Sequence, residues 1–197
     1  MKKLLLILLC VPLIGLGQSV GCLDGGNCLS DHSCCLIDNY NVTTSTIDNI
    51  SVQFKEPDGW ELTKDSYSKD KTNIMKSYGN VELGAMIQLY IVESREYITK
   101  EDAAVLMENS DFINSFTNGL ESGGAEVIST KAVLIDNYPA LEVVSYAYNK
   151  TQKQVQWLIF YKNKMINFQG VSIINNFGEL YPFFNQLRHT LNISSSR

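Results

Sequence analysis

The chain is poor in the groups that carry most enzymatic chemistry. Among 197 residues there are two histidines, His32 and His189. It has no G-x-S-x-G elbow and no H-E-x-x-H pair. The GLESGG segment lacks a Walker lysine and a preceding strand, so it reads as a helix stop and not a phosphate loop. It also lacks a basic excess: 16 Lys and Arg face 21 Asp and Glu, a net charge of −5. Nucleic acid and anionic lipid both need cationic partners, so this balance argues against each. Past the N-terminus no apolar run approaches the roughly 20 residues that span a bilayer. Internal repeats and low-complexity tracts are missing too.

What the N-terminus does have is MKKLLLILLCVPLIGLGQ. Lys2 and Lys3 precede an apolar run from Leu4 to Leu16, and Gly15 and Gly17 offer small side chains for cleavage. This pattern predicts a secretory signal over residues 1–17, the run being too short for an uncleaved anchor. Its removal takes two lysines, leaving 16 − 2 = 14 cations against 21 acids, a charge of −7. Export to the periplasm or the cell exterior is the expected destination.

Cysteines crowd into the next stretch. Cys22, Cys28, Cys34 and Cys35 lie within GCLDGGNCLSDHSCC, while Cys10 leaves with the signal. An exported protein meets an oxidising compartment, and four cysteines can close two bridges. Neighbouring Cys34 and Cys35 would strain a bond to each other, so each is expected to reach back to Cys22 or Cys28. A lipid anchor on Cys22 is the alternative, since Gly21 supplies the small residue before it. It would leave three thiols, an odd number. Metal is a third reading: Cys28, His32, Cys34 and Cys35 could give four ligands, but their spacing matches no zinc knuckle. Asp24, Asn27 and Asp31 fall short of a calcium loop. Thiol chemistry would have only His32 as a nearby base. The segment is taken as a staple, with no metal and no cofactor.

The remainder is long enough to bury a core unaided, and is read as one domain over residues 50–193. A Cys-rich extension and linker over residues 18–49, whose stretch between Asp38 and Ile50 reads as linker or edge strand, and a short tail at 194–197 flank it. SVQFKEPDGWEL gives a strand, a turn at Pro57–Gly59 and Trp60 returning to the core. Lys64–Lys71 reads as charged and mobile, and Ile74–Ser77 as an edge strand. In GAMIQLYIVES, Ile87, Leu89 and Ile91 line one face and Met86, Tyr90 and Val92 the other, so both faces are covered. Thr99 and Asp102 resemble a capping box opening an amphipathic helix or a broken pair of helices that ends at Gly123-Gly124. EVISTKAVL, ALEVVSYAYN, VQWLIFYK and MINFQGVSI follow as four strands joined by short polar turns, hence antiparallel. Leu180, Phe183, Phe184, Leu187 and Leu191 mark a last helix. The expected class is α+β, an antiparallel sheet flanked by helices on both sides.

Candidate chemistry is thin. His189 falls in the last turn of that helix, where a cationic imidazole suits the helix C-terminus better than catalysis. Glu93 and Glu96 could form a carboxylate pair but read as solvated. Tyr146, Tyr148, Trp157, Phe160 and Tyr161 could stack a sugar, though burial under helices accounts for them as well. Asn41, Asn49, Asn149 and Asn192 begin N-x-S/T triplets.

The PDGW turn at Pro57–Trp60, YPALEV at Tyr138–Val143, YKNKMINFQG at Tyr161–Gly170 and the final helix with Phe183 and Phe184 resemble the PsbP/Mog-type superfamily. The resemblance covers about residues 50–193 and leaves the cysteine segment out. It implies an α/β/α sandwich, and a role as an extrinsic assembly factor, a small-GTPase binder or an envelope protein, with no catalytic set to carry over. The signal ending and the Asn-, Lys- and Ile-rich composition are similar to those of Bacteroidetes-type bacteria. Together these readings give a non-enzymatic exported module whose partner is another envelope protein. A small-ligand binder for sugar or metal is the alternative.

Overall fold

A computed structural model describes residues 41–68 and 73–195. The expected signal segment and Cys22, Cys28, Cys34 and Cys35 lie outside the described residues.

Among the described residues, nine strands and three helices follow one another as β1 (Val42–Ile47), β2 (Ile50–Lys55), β3 (Glu61–Tyr67), β4 (Ile74–Asn80), β5 (Ala85–Ile98), α1 (Lys100–Glu108), α2 (Ser110–Ser122), β6 (Glu126–Ile135), β7 (Tyr138–Ala147), β8 (Gln152–Ile173), α3 (Ile174–Arg188) and β9 (Asn192–Ser195). The large sheet has the order β3-β4-β5-β8-β7-β6, and every pairing in it is antiparallel. A second sheet, β1-β2-β9, joins the first and last of the described strands.

The turns follow from their residues. Asp136 and Asn137 both take positive φ between the paired Ile135 and Tyr138, the two-residue hairpin that right-twisted strands favour. Gly59 at φ +75 lets the Trp60 amide reach the Pro57 carbonyl and aims Trp60 at α3, where it stacks on Phe183 with centroids 5.5 Å apart. Thr99 caps α1 by accepting from the Asp102 amide at 3.1 Å. Asn109 ends α1 and caps α2, accepting from the amides of Asp111 and Phe112. The amphipathic stretch is therefore a broken pair.

β8 spans 22 residues but doubles back on itself. Its early arm pairs with β7 and its late arm with β5. Trp157 and Phe168 stack with centroids 6.0 Å apart, whereas eleven residues of straight strand would separate them by about 36 Å. The reversal lies at Lys162, where φ is +56. The last two runs expected from the sequence are thus the arms of one hairpin.

Side-chain alternation assigns each strand residue to a face of the large sheet. One face carries Tyr78, Ile87, Leu89, Ile91, Trp157, Ile159 and Phe168, and is covered by α3 and by Ile50, Val52 and Phe54 of the small sheet. The other carries Leu141, Val143, Leu158 and Phe160, which α1 and α2 cover through Ala103, Met107 and Phe116. Three sequence expectations change. Glu61–Tyr67, expected in part as a mobile charged stretch, is the edge strand β3, polar because solvent reaches it. β4 lies inside the sheet, between β3 and β5. The face under α3 has a second cover in the small sheet, whose β1 and β9 reach past residue 50 and residue 193.

Candidate functional site

The face opposite α3 is uneven. Its β7 end lies beneath α1 and α2, and its middle is a row of uncharged polar side chains running across the strands. Antiparallel register sets this row. Ser77 of β4 opposes Gln88 of β5, Gln88 opposes Gln169 of β8, and Tyr90 opposes Asn167. Residues opposite one another share a face, so alternation on three strands brings the amides together.

Hydrogen bonds run along the row. Gln88 Nε2 donates to Ser77 Oγ at 3.1 Å, and Gln169 Nε2 donates to Gln88 Oε1. On the early arm of β8, Gln154 Nε2 donates to Ser145 Oγ of β7 at 2.9 Å. Asn167 Nδ2 donates to Gln156 Oε1 at 3.1 Å, linking the two arms of β8. Here the saturation stops. Tyr90 OH, Gln156 Nε2, Asn167 Oδ1 and Gln152 Oε1 are buried and have no partner. Gln156 is 2% exposed and Asn167 8%. Exchanging O and N on both amides would leave the same remainder, one free donor and one free acceptor side by side. Burial, with the Tyr148 phenol nearby, raises the Tyr90 pKa well above the ordinary tyrosine value and keeps the hydroxyl neutral. An unpaired buried polar group costs about 1–3 kcal/mol, so this corner is held at the expense of stability.

The opposite face treats its polar groups otherwise. Glu142 is buried there and accepts from Trp157 Nε1 at 2.8 Å and from Tyr181 OH at 3.0 Å, with Arg188 Nη1 3.7 Å away. Its carboxylate is engaged on both oxygens. Lys164, fully buried, lies 2.7 Å from Asp48 in the β1–β2 turn, and Lys76 reaches Thr43 and Thr44. These contacts fasten the small sheet to the large one.

The residues singled out by sequence are not brought together. His189 is the exposed C-cap residue of α3. Glu93 and Glu96 are both exposed, and Glu93 lies 3.8 Å from the Lys164 ammonium. His32 and the four cysteines lie outside the described residues. The aromatic set divides: Trp157 and Tyr161 are buried toward α3, Phe160 toward α2, and Tyr146 and Tyr148 are half-buried. Among the described residues no group of three or more His, Cys, Asp or Glu could hold a metal ion. None of their helices is long and apolar enough to cross a membrane. Sequence reading passed over Gln88, Gln156, Asn167 and Gln169. Their signal is an amide at a covered position in an otherwise apolar strand, as in VQWLIF.

No family model matches the chain, and no curated protein sequence matches it. Solved structures do. Cyanobacterial PsbP (CyanoP) from Synechocystis superposes with a TM-score of 0.55 at 16% identity, over 80% of this chain and 94% of that one. LpqN of Mycobacterium tuberculosis, described as involved in cell envelope biogenesis, gives 0.46 at 11% identity, over 80% and 92%. The fold is PsbP-like.

Proposed function

We propose that the chain is an exported, non-catalytic binding module of the bacterial cell envelope, and that its partner is another envelope protein. One observation carries the binding reading: a row of hydrogen-bonded polar side chains in the described residues ends in buried hydrogen-bonding atoms with no partner, none of which ionises at neutral pH. Such a corner suits recognition and offers nothing to move a proton at neutral pH. The edge strand β6 supports a protein partner. It is exposed along most of its length, shows Ile128 and Leu134 to solvent, and keeps one row of backbone groups open for a further strand. The N-terminal pattern of Lys2 and Lys3 before the apolar run Leu4–Leu16 supports export.

The test is cross-linking of the full chain in native envelopes, followed by mass spectrometry. A reproducible cross-linked partner mapped to β6 is the expected result, and an envelope in which the chain cross-links to nothing rejects the reading. Intact mass with and without reductant addresses the N-terminus: a gain of about 4 Da on reduction marks two disulfides, and a diacylglyceryl mass on Cys22 marks a lipoprotein. A second reading, a small-ligand binder, is favoured by the unpaired amides themselves.

A further inference from the structure

We infer that the open edge of β6 receives an extended segment of the partner protein as a further strand, and that this segment presents an Asp or Glu opposite Lys131 between two apolar residues. The inference rests on the protein-partner reading of the module and names the chemistry of the partner segment.

Among the described strands the large sheet ends at β3 and β6, and the two edges carry charge differently. β3 has Glu61, Lys64 and Asp65 within seven residues, and Asp65 lies 3.6 Å from the Lys76 ammonium. Dense charge of both signs blunts an edge against strand pairing. β6 is ten residues long and carries two charges, Glu126 at its start and Lys131 near its middle. Glu126 is matched by Lys150 at 2.6 Å. Lys131 is exposed and has no ion pair among the described residues. One unanswered cation in an otherwise open edge sets the charge of what can lie beside it.

Register places that cation on one face of the strand. Thr130, Ala132 and Leu134 oppose Val143, Leu141 and Pro139, and so share the face of α1 and α2. Lys131 opposes Glu142, whose carboxylate accepts from Tyr181 of α3, and so lies on the other face. From Ile128 to Ala132 every residue is exposed, and Leu134 is 62% exposed. An added strand repeats the two-residue alternation. The residue it sets opposite Lys131 lies on the α3 face, where a carboxylate forms the missing ion pair. Its two neighbours lie on the other face against Thr130 and Ala132, and the one beside Ala132 is diagonal to Leu134. Apolar side chains at those two positions cover surface that β6 leaves open.

The same lysine turns away other occupants. A second copy pairing its β6 antiparallel about Thr130, Lys131 or Ala132 would set the two Lys131 side chains opposite each other or one diagonal step apart, within about 8 Å. An acidic tract fares no better, because the chain carries 21 Asp and Glu against 16 Lys and Arg. The match is one carboxylate at one position, in a segment otherwise free of acids.

Backbone amide resonances in NMR spectra of the full mature chain test this, with the acetylated and amidated peptide KTVTVEVTVK as probe. Two sister peptides replace its central glutamate by glutamine or by lysine. The glutamate peptide is expected to shift the amides of Glu126–Ile135 saturably, and the lysine peptide to bind about tenfold more weakly. General attraction to an acidic protein would give the reverse order, since the lysine peptide is the most basic of the three. Lys131→Glu changes an exposed side chain, so the fold is kept while the order of the peptides inverts. In native envelopes the same variant is expected to lower the cross-link at β6 about tenfold. The inference is overturned if no peptide shifts β6, if the three bind alike, or if Lys131→Glu leaves the order or the cross-link unchanged. It is overturned as well if the free chain sediments as a dimer joined through β6. Should any of these occur while an envelope cross-link at β6 persists, only the partner's chemistry is lost and the protein-partner reading stands. Should the peptides behave as expected and no cross-link form, the edge accepts an acid-bearing strand and the envelope reading falls.

Discussion

The two faces of the large sheet use polar residues in opposite ways. Toward α3, Glu142 is enclosed by Trp157, Tyr181 and Arg188, and each of its oxygens has a partner. Toward α1 and α2, Gln156 and Asn167 share one bond and keep a donor and an acceptor idle. The first face gives both oxygens of its buried carboxylate a hydrogen bond, although Arg188 Nε and Nη1 are buried beside it without one; the second leaves neutral amide atoms buried and unpaired. A protein of marginal stability can keep idle buried groups only where the rest of the core compensates. Aromatic packing on the α3 face does so: the ring centroids of Phe54 and Phe168 lie 5.3 Å apart, and Trp157 stacks on Phe168 at 6.0 Å.

On the α3 face the tightest contact is the place to begin. Gly170 lies beneath Phe184, and a Cβ there would overlap the ring itself, which is fixed between Trp60, Phe177 and Phe183. Gly170→Ala should cost about 3 kcal/mol or more, or leave no folded protein, as read by chemical denaturation. Glu142→Ala comes next. It leaves the indole N–H and the Tyr181 hydroxyl without their acceptor and Arg188 without its countercharge, and should cost about 3 kcal/mol. Glu142→Gln keeps an acceptor for Trp157 and should cost less. Equal losses for the two would show that the charge contributes nothing and would remove the contrast between faces.

The other face should respond differently to the same treatment. Tyr90→Phe deletes an unpaired hydroxyl, so stability should change by no more than about 0.5 kcal/mol, or rise. A loss above roughly 1.5 kcal/mol would mean the hydroxyl is bonded.

Local signals in the sequence carried much of this fold. Thr99 as a cap, the turn at Pro57–Gly59, the alternation that buries Ile87, Leu89 and Ile91 of β5 and the aromatic stripe of α3 each depend on residues close together in the chain, whereas Met86, Tyr90 and Val92, expected to be covered, are half-buried. The small sheet does not. It joins Val42–Ile47 and Asn192–Ser195 through β2, and short Thr- and Ser-rich strands carry no signal for so distant a pairing. β3 was obscured for another reason: an exposed edge strand carries charge like a loop. The candidate site was the least legible part. Met86, Tyr90 and Val92 could be placed on one face by alternation, but only register and the reversal at Lys162 bring Asn167 to Tyr90 and Gln156 to Asn167.

Alkaline titration offers the finest comparison, because burial pushes up a tyrosine on each face, Tyr78 on one and Tyr90 on the other, besides Tyr138 and Tyr181 on the α3 side. On the α3 face, burial raises Tyr78, aided by its hydrogen bond to Glu56 at 2.6 Å. On the other, burial raises Tyr90 with Tyr148 nearby. Unfolded tyrosine releases its proton near pH 10, whereas these two hold theirs, so above that pH the native state binds more protons than the unfolded one. Stability is therefore complete below about pH 10 and falls as pH rises beyond it. Either Phe substitution should flatten that decline, followed as the denaturation midpoint from pH 8 to 11 (an approximate range). At neutral pH the two should part. Tyr78→Phe loses bonds to Glu56 and Thr43 and should cost about 1 kcal/mol, while Tyr90→Phe should cost nothing. Matching behaviour at both pH extremes would mean that the faces are alike, and the contrast between paired and unpaired polar groups would go with it.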